Sequence, residues 1–135
     1  MRRIASAPLL ALLLVPPAAA QEFPLDKSFK AISISGFDVQ KAAITFTVER
    51  GRGGFRGSGH AGCNSWTATA IIRDDQIDFT DVATTKKFCG GPRMKTEEAF
   101  VSSLRAAQRW RIDDKNRLII EGEAARLLLT SAAGR

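Results

Sequence analysis

Few residues in this chain have the type and spacing to do chemistry. His60 precedes Cys63 by three positions, and an imidazole next to a thiol is the smallest nucleophile–base arrangement. In a strand, however, positions 60 and 63 point to opposite faces, and a Cys63 held in a disulfide has no thiolate to attack with. His60 therefore reads as an exposed or hydrogen-bonded lone histidine. The acids come mostly as neighbours: Asp74-Asp75, Glu97-Glu98 and Asp113-Asp114. A catalytic pair needs two carboxylates that converge from environments pushing their pKa values apart. These pairs fall in turns and at a helix start, where they read as solvated groups and caps. The expectation is no catalytic residue, no metal ligand set and no cofactor.

Cys63 and Cys89 are the only cysteines. In an oxidising compartment such a pair normally forms a disulfide. Closing that loop would contribute about 3.5 kcal/mol on the chain-entropy account. Two free buried thiols are one rival reading. A metal site is another, but it needs two further ligands and His60 is the only histidine. Asn64, after Gly62-Cys63, reads as a turn residue bonding nearby backbone, with a ligand contact as the alternative.

The basic residues form the more distinctive pattern. Arg50, Arg52 and Arg56 flank the glycine-rich turn Gly51–Gly54, and Lys86, Lys87, Arg93 and Lys95 flank Cys89. A Cys63–Cys89 bond would bring the two groups towards one end of the domain. Arg52, Arg56, Lys86 and Lys87 are then candidates for an anion-binding patch, helped by glycine N–H groups. Lipopolysaccharide, an anionic lipid or an acidic protein would suit it. An ordinary solvated basic surface is the competing reading. No nucleic-acid motif is visible.

The segment ahead of these residues sets the compartment. Arg2-Arg3, the apolar run Leu9–Val15, Pro16-Pro17 and Ala18–Ala20 make a secretory signal peptide over residues 1–20, cleaved after Ala20. The run is too short for a permanent span. Removing 20 of the 135 residues leaves 115, and losing two arginines lowers the formal charge from +6 to about +4. That length buries roughly 65% of the unfolded surface, enough for one modest core. The expected product is a monomeric periplasmic or secreted protein with no transmembrane segment and no nucleic-acid partner.

Periodicity supplies the elements. Residues 21–27 are expected to be loose, and a first strand follows over Ser28–Ile34. Ile44, Phe46 and Val48 alternate with polar residues as a half-buried strand. Phe55–Ala61 and Trp66–Ile72 are further strands, and Ile77–Thr80 is a short one. Pro92 precedes a helix with Thr96 as its N-cap and Glu97-Glu98 in its first turn. Phe100, Val101, Leu104 and Ala107 make its apolar stripe, and Arg105 and Arg109 its last turns. Strands at Trp110–Ile112, Leu118–Glu121 and Arg126–Thr130 then form an antiparallel meander, before a tail at 131–135. The sum is an α+β domain over 28–130. It is a curved antiparallel sheet, or a partly open barrel, of six to eight short strands with one main helix packed on it.

The block Phe55-x-Gly57-x-Gly59-x-x-Gly62-Cys63-Asn64 resembles the glycine-rich block of the META domain, the HslJ-like family. Val82-Ala83-Thr84-Thr85-Lys86-Lys87-Phe88-Cys89 is similar to its second block, T-x-x-x-C. Met94 and Glu97-x-x-Phe100-Val101-x-x-Leu104 resemble the helix that follows. Gly62, Cys63, Asn64, Thr85, Cys89, Met94 and Glu97 stand at motif positions. After Asn64 the chain reads Ser-Trp-Thr, which departs from the family's glycine and aromatic pattern. The resemblance implies a small α+β domain, often exported, in a family associated with heat shock, antibiotic tolerance, motility or virulence. It carries over no catalytic residue. The functional expectation is a non-enzymatic envelope protein that binds a protein, peptide or amphiphile, or gives support under stress. The alternatives are a small envelope hydrolase or enzyme inhibitor, an anionic lipid-binding module, and a purely structural subunit.

Overall fold

The structure is a computed structural model and describes residues 2–15 and 21–132. Among them the strands are β1 (Phe29–Ile34), β2 (Phe37–Asp38), β3 (Thr45–Gly51), β4 (Gly54–His60), β5 (Ser65–Arg73) and β6 (Gln76–Thr84). The helix α1 (Gly91–Ala106) leads into β7 (Ala107–Ile112), β8 (Leu118–Gly122) and β9 (Arg126–Ser131). Each strand from β3 to β9 pairs antiparallel with the next, and β1 pairs with both β3 and β9. Eight strands therefore close on themselves as a barrel-like sheet. The hairpin strand β2 shares the second edge of β1 with β3.

Alternation explains the strands. Phe46 and Val48 on β3, Trp66, Ala68 and Ala70 on β5, and Leu127 and Leu129 on β9 all point inward and are buried. Trp66 sits at the centre. Its ring meets Phe46 at 5.6 Å, Phe79 at 6.4 Å and Phe100 of α1 at 5.4 Å between centroids. Gly59 makes room for it: a Cβ there would collide with the Thr45 carbonyl and stand 2.9 Å from the Trp66 indole nitrogen. That nitrogen donates to Thr45 O at 3.0 Å.

The barrel is thinnest between β6 and β7. Their register is a single pair, Gln76 with Arg109, extended by the Trp110 N–H donating to Asp75 O at 2.9 Å. The helix joins these two strands and packs its Phe100, Val101 and Leu104 stripe into the core.

Several expectations require correction. The helix starts at Gly91 after Gly90, with Pro92 in its first turn, where the missing N–H costs nothing. Thr96 is not the N-cap; its hydroxyl donates back to Pro92 O at 3.2 Å. Glu97 and Glu98 consequently lie beyond the first turn, and Arg109 belongs to β7. Residues 21–27 are docked rather than loose. The Gln21 carboxamide bonds the N–H and C=O of Ile112 at 3.2 and 3.5 Å. Phe23 packs edge-on against Trp110 at 5.1 Å, and the Asp26 N–H donates to Val48 O at 2.8 Å. At the other end β9 continues to Ser131, and the Ala132 N–H donates to Ser28 O at 2.9 Å. β6 also runs on past Thr80 to Thr84, with Asp81 at φ 52° where its register against β5 shifts.

Residues 2–15 form no helix or strand, and Leu9–Val15 are exposed. The expected cleavage point after Ala20 and tail residues 133–135 lie outside the described residues. No helix among the described residues is long and apolar enough to cross a membrane.

Candidate functional site

The two cysteine blocks meet where β4 turns into β5 and β6 runs into α1. Cys63 and Cys89 form a disulfide with Cα atoms 5.9 Å apart. Beside it Asn64 is only 2% exposed. Its Oδ1 accepts from the Thr85 hydroxyl at 2.9 Å and the Lys87 N–H at 2.6 Å. Its Nδ2 donates to Lys87 O at 3.1 Å and to Glu97 Oε2 at 2.9 Å. Both lone pairs and both hydrogens of the carboxamide are thus satisfied. The Asn64 backbone N–H donates to Glu97 Oε1 at 2.6 Å, so the carboxylate grips the residue at two points.

Glu97 is 5% exposed and reaches this position from the inner face of α1. Arg93, one turn earlier, donates through Nε and Nη2 to Gly62 O at 3.3 and 3.1 Å. Gly62 has φ +114°, which a side chain would rarely adopt. Thr85 accepts the Ser65 N–H at 3.2 Å, and the Met94 N–H closes the first turn of α1 on Gly90 O at 3.1 Å. The latch thus joins Gly62, Cys63, Asn64, Thr85, Cys89 and Glu97, while Met94 takes part only through the start of the helix. Asn64 bonds partners distant in sequence rather than nearby backbone, which corrects the simple turn reading.

The other candidates are dispersed. His60 is half-buried, and its backbone N–H donates to the Thr45 hydroxyl at 2.9 Å. Asp75 pairs with exposed Arg109 at 3.3 Å. Asp113 accepts the Arg117 guanidinium at 2.7 Å. Desolvation pushes the Asp113 carboxyl up, but hydrogen bonds from Arg117 and the Lys115 N–H outweigh it and hold the group below its ordinary 3.8. Among the described residues no group of three His, Cys, Asp or Glu side chains is placed to hold a metal.

The proposed basic patch is not one surface. The Gly51–Gly54 turn with Arg52 lies at one end of β4, and the Cys63 block lies beyond the other. The seven residues of β4 separate them by roughly 20 Å at the usual strand rise. Arg52 and Arg56 instead share a shallow cleft with Thr67, Thr69 and the acidic Asp81. Lys86 and Lys87 stay at the disulfide end.

One feature escaped the sequence reading. A groove of about 790 Å³ runs between the β1–β2 hairpin and the small-residue face of α1. Ile34, Phe37 and Val39 form one wall, Ala99, Ser102 and Ala106 the floor, and Ala124 and Ala125 the end. Phe37 is 77% exposed, set out by a Ser35-Gly36 turn with φ of 49° and 88°, the pattern of a tight two-residue hairpin. Lys95 and Asp38 stand among the lining residues. The signal was in the chain: Lys95, Ala99, Ser102 and Ala106 share one helical face by their spacing.

A closed antiparallel barrel, one helix packed into its core and a Gly-Cys-Asn latch define the architecture. The META domain profile matches residues 22–134, and the chain belongs to that family. Its fold is similar to an NMR structure of a protein from Burkholderia xenovorans, with TM-score 0.66 and 18% identity over 87% of this chain and 97% of that one. A second NMR structure aligns with TM-score 0.62 and 16% identity over 78% of this chain and 89% of the other. A search of curated protein sequences gave no match.

Proposed function

We propose that this META-domain protein is exported and acts by binding, its groove receiving an apolar segment of an envelope polypeptide. The groove carries the reading. Its volume of about 790 Å³ falls within the usual range of roughly 300–1,000 Å³ for ligand sites. Its wall includes a large apolar side chain left in water, Phe37. Its charged residues are one cation, Lys95, and one anion, Asp38. That mixed pair complements a polypeptide carrying both signs better than a single anionic head group. The latch residues support a division of labour, because Asn64 and Glu97 already satisfy one another.

Export rests on the signal-like first 20 residues and on a disulfide of the kind that persists in oxidising compartments. Intact mass of the protein recovered from the periplasm should begin at Gln21; a mass that includes Met1 would refute cleavage. Binding is tested with a short Leu-rich peptide bearing one Lys and one Glu, with decanoate as the acyl comparison. Ala99→Trp fills the groove from an exposed helical position and should weaken the peptide about tenfold or more. Equal affinity of both forms, or binding of decanoate in place of the peptide, would overturn the polypeptide reading.

A further inference from the structure

We propose that Lys86-Lys87-Phe88, at the disulfide end of the barrel, is a docking surface for an anionic lipid bilayer. Phe88 is 84% exposed and lies in the connection between β6 and α1. Its backbone is nevertheless fixed on both sides. The next residue, Cys89, is bonded to Cys63, and both the N–H and C=O of Lys87 are held by Asn64 at 2.6 and 3.1 Å. A ring carried on an already fixed backbone leaves only side-chain freedom to lose when it inserts.

The charges around the ring have one predominant sign. Lys86 and Lys87 immediately precede it in the chain and are exposed. From Val82 to Glu98 the chain also carries Arg93, bonded to Gly62 O, and Lys95, which lines the groove, against Glu97 and Glu98. Glu97 is turned inward onto Asn64, so Glu98, which shares a cleft with Lys86, is the acid left outside. The first turn of α1, which no side chain caps, adds the positive end of its dipole. An aromatic ring at head-group depth with lysines over the phosphates is the arrangement an anionic interface favours. Charge alone would equally suit an acidic protein. A projecting ring favours a deformable acceptor, which a fluid bilayer provides. Arg52 and Arg56, at the far end of β4, would then face away from the membrane.

The surface is tested by vesicle sedimentation of the protein beginning at Gln21. Residues 2–15 add no strand or helix to the domain, and their Leu9–Val15 run would enter lipid by itself. Phosphatidylcholine vesicles with about 30% phosphatidylglycerol should bind it and pure phosphatidylcholine should not. Lys86→Gln and Lys87→Gln should each weaken binding about fivefold, and Phe88→Ala about tenfold. High salt should weaken it further, and Arg52→Gln should have no effect. These side chains are exposed, so the variants keep the fold. The proposal is overturned by equal binding to neutral vesicles, by indifference to Phe88→Ala, or by tighter binding to polyglutamate than to the anionic vesicles. Ala99→Trp should leave vesicle binding unchanged, so failure here is separable from failure of the groove.

Discussion

At the scale of single residues, Asn64 shows what a buried amide does when all its hydrogen-bonding capacity is used. Four side-chain bonds and one backbone bond tie it to Thr85, Lys87 and Glu97. Truncating it removes the donor that faces Glu97 Oε2 and leaves a buried carboxylate under-bonded. Asn64→Ala should therefore cost about 3–5 kcal/mol, read as a lower urea midpoint. A loss below about 1 kcal/mol would mean that the latch does not hold the fold. Asp113 gives a pH prediction. Its folded carboxyl titrates below 3.8, so its stabilising effect is present above that value and fades as pH falls through the lower folded pKa. Asp113→Asn should accordingly destabilise at neutral pH, and the gap from the natural protein should close in acid. The motif residues were legible from their types and order. The Asn64–Glu97 bond was not, because a helix capped by Thr96 puts Glu97 in its solvated first turn. Starting at Gly91 instead puts Glu97 beyond the first turn and lets it face inward.

At the scale of elements, the two blocks are held together by one covalent and several non-covalent links. The disulfide closes a separation of 26 residues, worth about 3.5 kcal/mol on the chain-entropy model. Reduction should lower the urea midpoint by an equivalent amount, and mass analysis without reductant should find no free thiol. The helix stripe can be tested at Phe100, which packs on Trp66. Phe100→Ala should cost about 3–5 kcal/mol, and a loss near zero would contradict its place in the core. Period-two alternation made β3, β5 and β9 readable. It could not reveal β2, whose two residues are too short to show a period. Nor could it reveal the docking of Gln21–Lys27, which depends on Trp110 and Ile112 far along the chain.

At the scale of the molecule, the closed sheet puts the latch at one end and the Arg52 turn at the other, with the groove along the flank of α1. Sequence distance could not foresee that separation. A disulfide between two blocks says which residues meet, but the direction of β4 decides which residues are carried away. The latch holds α1 against the barrel, and α1 in turn provides the floor of the groove in which the proposed partner would lie. The most direct test is a chemical-shift titration of the protein beginning at Gln21 with the Leu-rich peptide. Binding in the groove predicts shifts confined to Ile34–Val39, Lys95–Ala106 and Ala124–Ala125, absent in Ala99→Trp. Shifts centred on Asn64, Thr85 and Cys89 instead would contradict it, since they would make the latch itself the binding site.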